Sequence, residues 1–146
     1  MERLSPKKRC ANLEFVDVDK SKRYGCYIFQ GKPTPQARPR FGNGRCWDDQ
    51  KQLREQCSFD MLVQHKPASL YKGALLLKIY FFMPTPKKKA SNQHIVKPDL
   101  SNLIKFVEDS ANGILFADDK QIVEIYAKKI YSENPRTELI IVELGE

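Results

Sequence analysis

The stretch KPDLSNLIKFVEDSANGILFADDKQIVEIYAKKIY, Lys97 to Tyr131, decides how this chain is read. Plotted at about 100° per residue, Leu100, Leu103, Ile104, Val107 and Ala111 gather on one side. That spacing predicts an amphipathic helix packed on a sheet. Asn102, Lys105 and Asp109 share the other side, with Asp99 at the leading end. Gly113 supplies the stop, since glycine adopts the left-handed backbone that ends helices at little cost. Asp118 and Asp119 then precede QIVEIYAKKIY, in which Val123, Ile125 and Ala127 alternate with Glu124, Tyr126 and Lys128. Alternation with period two predicts a half-buried strand. Two successive elements therefore carry carboxylates, and the first also carries an ammonium group.

Outward from this stretch the chain divides into regular elements. Ala74 to Met83, ALLLKIYFFM, is apolar at alternate and intervening positions alike, which predicts a central strand covered on both faces. Pro84 and Pro86 end it. Earlier, Asp48 and Asp49 open a helix reaching about His65, with Leu53, Cys57 and Met61 at four-residue steps on its apolar face. Pro67 closes it. Cys26 to Gln30 is a compact strand ended by Gly31, and Thr137 to Leu144 is a strand returning after a turn at Ser132 to Arg136. The order is strand, helix, strand, helix, strand, strand. It predicts an α/β fold: a mixed sheet of four main strands with two helices packed on it. The first two strands are expected to be parallel, joined by a right-handed crossover, and the last two to form a hairpin. A length of 146 residues fits one domain. Residues 26–146 are read as that domain and 1–25 as a polar extension, in which Leu13, Phe15, Val16 and Val18 offer at most a short strand.

The formal net charge of +7 favours a polyanionic partner. The proline-rich loop GKPTPQARPRFGNGRCW places Lys32, Arg38, Arg40 and Arg45 around Phe41 and Trp47. Cations with aromatic rings on a loop suit phosphate contact and base stacking. They equally suit a solvated loop whose two rings anchor it to the core. Lys87, Lys88 and Lys89, followed by Lys97, lie between the central strand and the acidic helix start, a placement that favours nucleic-acid contact. The four cysteines form no CxxC pair and do not cluster with His65 or His94, so zinc is not expected. The N-terminus lacks the apolar core of a secretion signal, and the longest apolar run is too short to cross a bilayer. The expectation is a cytoplasmic chain with reduced, packed thiols and no membrane partner.

Phosphodiester hydrolysis needs a positioned water, neutralisation of phosphate charge and help for the leaving oxygen. Mg2+, or Mn2+ in its place, supplies these when a few carboxylates hold it. Asp99 and Asp119, from separate elements, suit such a cradle. Asp118 joins them only if the backbone bends there, because neighbouring strand residues face opposite ways. Lys105, away from the apolar face, is placed to reach a phosphate. Each acid also has a structural reading: Asp99 as a helix N-cap, Asp118 and Asp119 as turn residues.

PDLSNLIKFVEDSANGILFADDKQIVEI resembles the signature of RusA-type Holliday junction resolvases, in which PDxDNLxK is followed by a helix and a DD pair. The RPRF loop, the apolar strand ending at Pro84 and the last two strands are also similar. The resemblance spans roughly Cys26 to Leu144 and is specific from Pro98 to Glu124. It implies a homodimeric, magnesium-dependent endonuclease that nicks four-way DNA junctions symmetrically in recombination and repair. By position it makes Asp99, Lys105 and Asp119 catalytic, with Asp99, Asp118 and Asp119 at the metal. Arg38, Arg40, Lys87, Lys88, Lys89 and Lys97 are the expected DNA contacts. One position departs from the pattern: Ser101 stands where the family carries a second aspartate. A hydroxyl brings no negative charge, so either the ion cradle is modified or the protein binds junctions without cutting them.

Overall fold

The computed structural model describes residues 18–37, 40–47, 50–65 and 68–145. Among the described residues, six strands and two helices follow in the order β1 (Tyr24–Gln30), β2 (Arg40–Gly42), β3 (Arg45–Trp47), α1 (Lys51–His65), β4 (Leu75–Pro84), α2 (Leu100–Ala111), β5 (Ile122–Ser132) and β6 (Arg136–Glu143). A short 3-10 turn, Asp119–Gln121, leads into β5. The expected α/β architecture is present: four main strands form a mixed sheet in the order β1-β6-β4-β5.

The strand neighbours differ from the expected ones. β4 and β5 are the adjacent parallel pair, and α2 is the crossover between them. β1 and β4 run the same way but do not touch, because β6 lies between them and is antiparallel to both. β5 and β6 are therefore not a hairpin, although only three residues separate them. The reason is burial. Thr137 to Val142 are all buried, so β6 needs a neighbour on each side. β5 carries Glu124, Lys128 and Lys129, which suit an edge strand. Val123 and Ile125, expected to face inward, are instead 59% and 42% exposed.

α1 and α2 share one face of the sheet. There Met61 of α1 and Leu103, Val107 and Ala111 of α2 meet Leu75, Leu77, Ile79 and Phe81 of β4 and Leu139 and Ile141 of β6. Leu100 and Ile104 pack at the margin as the helical spacing predicted, and Phe106 is buried as well. The other face carries Cys26, Tyr80, Phe82, Ile140 and Val142, with Val18 packed against them. β4 is thus covered on both sides, as its continuous apolarity required. Gly113 has φ +81° just beyond α2, the left-handed stop read from the sequence.

Two features were not expected. Asn43 and Gly44, both with positive φ, close a two-stranded ribbon of β2 and β3 inside the proline-rich loop. Cys26 is disulfide-bonded rather than a reduced thiol, whereas Cys57 is free. Leu13, Phe15, Val16, Asp48, Asp49 and Pro67 lie outside the described residues.

Candidate active site

α2 begins at Asp99, whose backbone is extended (φ −68°, ψ 140°) and whose carbonyl accepts from Leu103 N–H at 3.2 Å. Its side chain makes no capping hydrogen bond and is exposed. Asp99 thus occupies the N-cap position read from the sequence, but its carboxylate makes no capping bond and is left for other work. Lys105 follows one and a half turns later on the polar side. Its Nζ lies 3.4 Å from Asp109 Oδ1, one turn further on. Asp109 holds the ammonium above its ordinary range, and Glu108 and Asp119 add to the effect. Glu108 is pushed up by burial, with Asp119 and Asp109 reinforcing and Lys105 opposing. Asp119 thus contributes to both shifts, at Lys105 in the middle of α2 and at Glu108 one turn later.

The backbone bends at the acidic pair. Asp118 is extended (φ −154°, ψ 138°) and caps the 3-10 turn, its Oδ1 accepting from Lys120 N–H at 3.0 Å. Gln121 completes a capping box: its Oε1 accepts from Asp118 N–H at 3.1 Å and Ala117 N–H at 3.0 Å. Gln121 Nε2 in turn donates to the carbonyls of Tyr71 and Gly73, each at 3.2 Å, tying the turn to the start of β4. The Lys120 amide, and then a hydrogen bond with the Asp119 side chain, hold the Asp118 carboxyl below the usual carboxylate range. The aspartates thus open a turn rather than the strand itself. Asp118 shapes that turn, and Asp119 is its first residue.

The expected acids do not all converge. α2 has 12 residues and so spans about 18 Å. Asp99 stands at its start, and Asp119 in the turn that follows it. Among the described residues, no three His, Cys, Asp or Glu side chains come close enough to hold an ion. Asp118 and Asp119 share one turn, and the charge of Asp119 is felt at Lys105, whose ion-pair partner is Asp109. Glu108, and the ion pair of Asp109 with Lys105, were missed in the sequence. Their three- and four-residue spacing from Lys105 was the available signal.

Lys87, Lys88, Lys89 and Lys97 are all exposed on the loop between β4 and α2. Arg40 opens β2, but its side chain lies outside the described residues, as does all of Arg38. Phe41 is 79% exposed and is no anchor for its loop.

Residues 30–142 match the family described as Endodeoxyribonuclease RusA. The chain belongs to the RusA endodeoxyribonuclease family. It is 30% identical over 136 residues to the uncharacterized protein YqaN of Bacillus subtilis strain 168, covering 82% of this chain and 96% of that one. It is 32% identical over 87 residues to the crossover junction endodeoxyribonuclease rusA of Lactococcus phage r1t, covering 57% of this chain and 66% of that one. The RusA match spans β4, α2 and β5, and so includes both acidic positions.

Proposed function

We propose that this RusA-family protein is a magnesium-dependent, structure-selective endodeoxyribonuclease that resolves Holliday junctions by paired nicks as a homodimer, in recombination and repair. Manganese is an acceptable substitute. The observation that carries the reading is the RusA match over residues 30–142, which spans Asp99, Lys105 and the Asp118–Asp119 turn.

The residues fit a magnesium ion. Asp118 and Asp119 carboxyls lie within hydrogen-bonding reach, and two such groups share either a proton or a cation. Mg2+ keeps several waters and takes one or two carboxylates plus substrate phosphate, so three converging protein donors are not required. Asp119 and Asp118 would hold the ion, with Asp99 as a further acidic position at the start of α2. When bound, the metal would polarise the phosphate and lower the pKa of a water. Lys105 keeps its proton and neutralises charge that builds on the phosphate oxygens. A DNA backbone laid along α2 meets both acidic positions. The exposed lysines at 87, 88, 89 and 97 contact flanking phosphates, together with Arg38 and Arg40. A two-fold dimer presents one such site to each of two opposed strands.

A second reading, junction binding without cutting, is favoured by Ser101, which is exposed on the first turn of α2 where the family pattern carries a carboxylate. A labelled four-way junction incubated with wild type and Asp119→Asn, with and without Mg2+, separates the two. The nuclease reading expects metal-dependent nicking by wild type. Asp119→Asn should lose nicking on the order of a hundredfold or more while still binding the junction in chelator. Absence of nicking by wild type in both Mg2+ and Mn2+ would favour the binding protein. Loss of binding together with cutting would give Asp119 a folding role.

A further inference from the structure

The C-terminal half of β5 grips the loop that leads into Asp99. Lys129 stands opposite Phe81 in the β4–β5 register, and therefore on the helix-bearing face. Its Nζ donates to Val96 O at 3.0 Å and to Pro98 O at 2.9 Å. The second of these carbonyls belongs to the residue immediately before Asp99. Two residues further along the strand, the Tyr131 ring packs on the buried His94 imidazole, with centroids 5.0 Å apart. Lys89 Nζ sits 5.7 Å from the centre of the same ring. One strand thus holds the loop at three points.

These contacts decide what fixes Asp99. The Asp99 side chain forms no cap, so α2 restrains the residue only through its carbonyl bond to Leu103. On the other side the chain is restrained by Pro98, and Pro98 by Lys129. Two of the three ammonium donors are spent on backbone carbonyls, which suits a fixed clamp better than a mobile phosphate contact. The strand bearing Lys129 also begins directly after the turn that carries Asp119. A single rigid element therefore borders both acids, one at each of its ends.

We propose that Lys129 is a positioning residue of this endonuclease, which fixes Asp99 relative to Asp119 by clamping the Val96 and Pro98 carbonyls. The proposal rests on the reading of Asp99 as a site residue. Its action is indirect: it holds the backbone that presents Asp99 at the end of the lysine-rich loop.

The test uses Lys129→Met, which keeps the length of the side chain and removes its donors, Lys129→Arg, and Asp99→Asn alone and combined with Lys129→Met. Junction nicking, Mn2+ binding by electron paramagnetic resonance, and backbone hydrogen exchange are measured on each. Lys129→Met should slow nicking by roughly tenfold to a hundredfold, the scale of a misplacement near 1 Å, and weaken Mn2+ binding. Exchange should quicken across residues 94–103 and stay unchanged across 119–132. Lys129→Arg, retaining charge and donors, should recover most of the rate. In the Asp99→Asn background Lys129→Met should cost little more, because it acts through Asp99. Additive losses, or unchanged exchange across 94–103, would overturn the proposal alone. Full nicking by Asp99→Asn would overturn the reading of Asp99 and the proposal with it. Should Lys129→Met fail to fold, Lys129→Gln, tested in the same way, carries the same expectations.

Discussion

Lys105 and Asp109 stand one helical turn apart, and their ion pair is the residue-scale feature with the clearest consequence for activity. Asp109 is the largest influence raising the proton affinity of Lys105. Its removal therefore lowers the pH at which the ammonium is deprotonated. In Asp109→Asn, the alkaline limb of a single-turnover nicking profile should move to lower pH while the acid limb stays in place. Asp109→Glu should restore it. An alkaline limb that does not move would remove Lys105 from the charge-neutralising role. Cys57 illustrates the opposite kind of residue: burial pushes its thiol up to about 11, so it stays protonated near neutrality and serves packing. At Ser101 the chemistry turns on one missing carboxylate, a difference legible in the sequence from the moment PDLSNLIK is set beside the family pattern.

Among the elements, β1 shows how tightly the sheet is tied to α1. Tyr27 Oη lies 2.8 Å from His65 Nδ1 and 2.7 Å from Tyr71 Oη, and His65 Nε2 lies 2.9 Å from Ser69 O. A carbonyl can only accept, so Nε2 is a donor and, in the neutral imidazole, Nδ1 accepts from Tyr27. Arg23 closes the cluster over the Tyr71 ring at 4.4 Å and donates to Glu143 at 3.1 Å and to the Ser69 carbonyl. Gly25 sits beneath it: a Cβ there would lie 1.8 Å from Tyr71 Oη. The Tyr71 ring is buried and hydrogen-bonded, so it yields only at a cost. Gly25→Ala should destabilise the fold by about 1–3 kcal/mol in urea unfolding. Tyr71→Phe in the same chain, which removes the clashing oxygen, should recover part of that. Equal stability of wild type and Gly25→Ala would mean that the tyrosine pair is free to move.

For the whole molecule, the positive surplus and the exposed lysines before α2 make DNA binding salt-dependent. Replacing Lys87, Lys88 and Lys89 together by alanine should weaken junction binding similarly for different sequences. The slope of log affinity against log salt should fall by roughly 2–3, close to one unit for each phosphate no longer neutralised. An unchanged slope would make this loop a solvated surface and move the interface elsewhere. Among the described residues no helix is long and apolar enough to cross a membrane.

Local pattern was enough for much of this protein. The amphipathic helix with its Gly113 stop, the doubly covered β4 and the α/β class all follow from periodicity and short-range spacing, while the family came from the resemblance of the acidic stretch to a known signature. Such signals survive without tertiary structure because 3.6- and 2-residue periods report burial directly. The NG turn of the β2–β3 ribbon was available to the same reading and was missed. Strand order was not readable in this way: β5 and β6 are joined by a tight turn, yet β6 moves past β4 because its six buried residues need neighbours on both sides. The site shows the same division. Asp99, Lys105, Asp118 and Asp119 could be picked out by residue type and position. Only the folded chain decided that Asp118 caps a turn, that Lys105 pairs with Asp109, and that the Asp99 side chain makes no cap. The physical reason is that residue type sets what a carboxylate can do, while the packing of α2 between two ends of β5 sets which carboxylates can do it together.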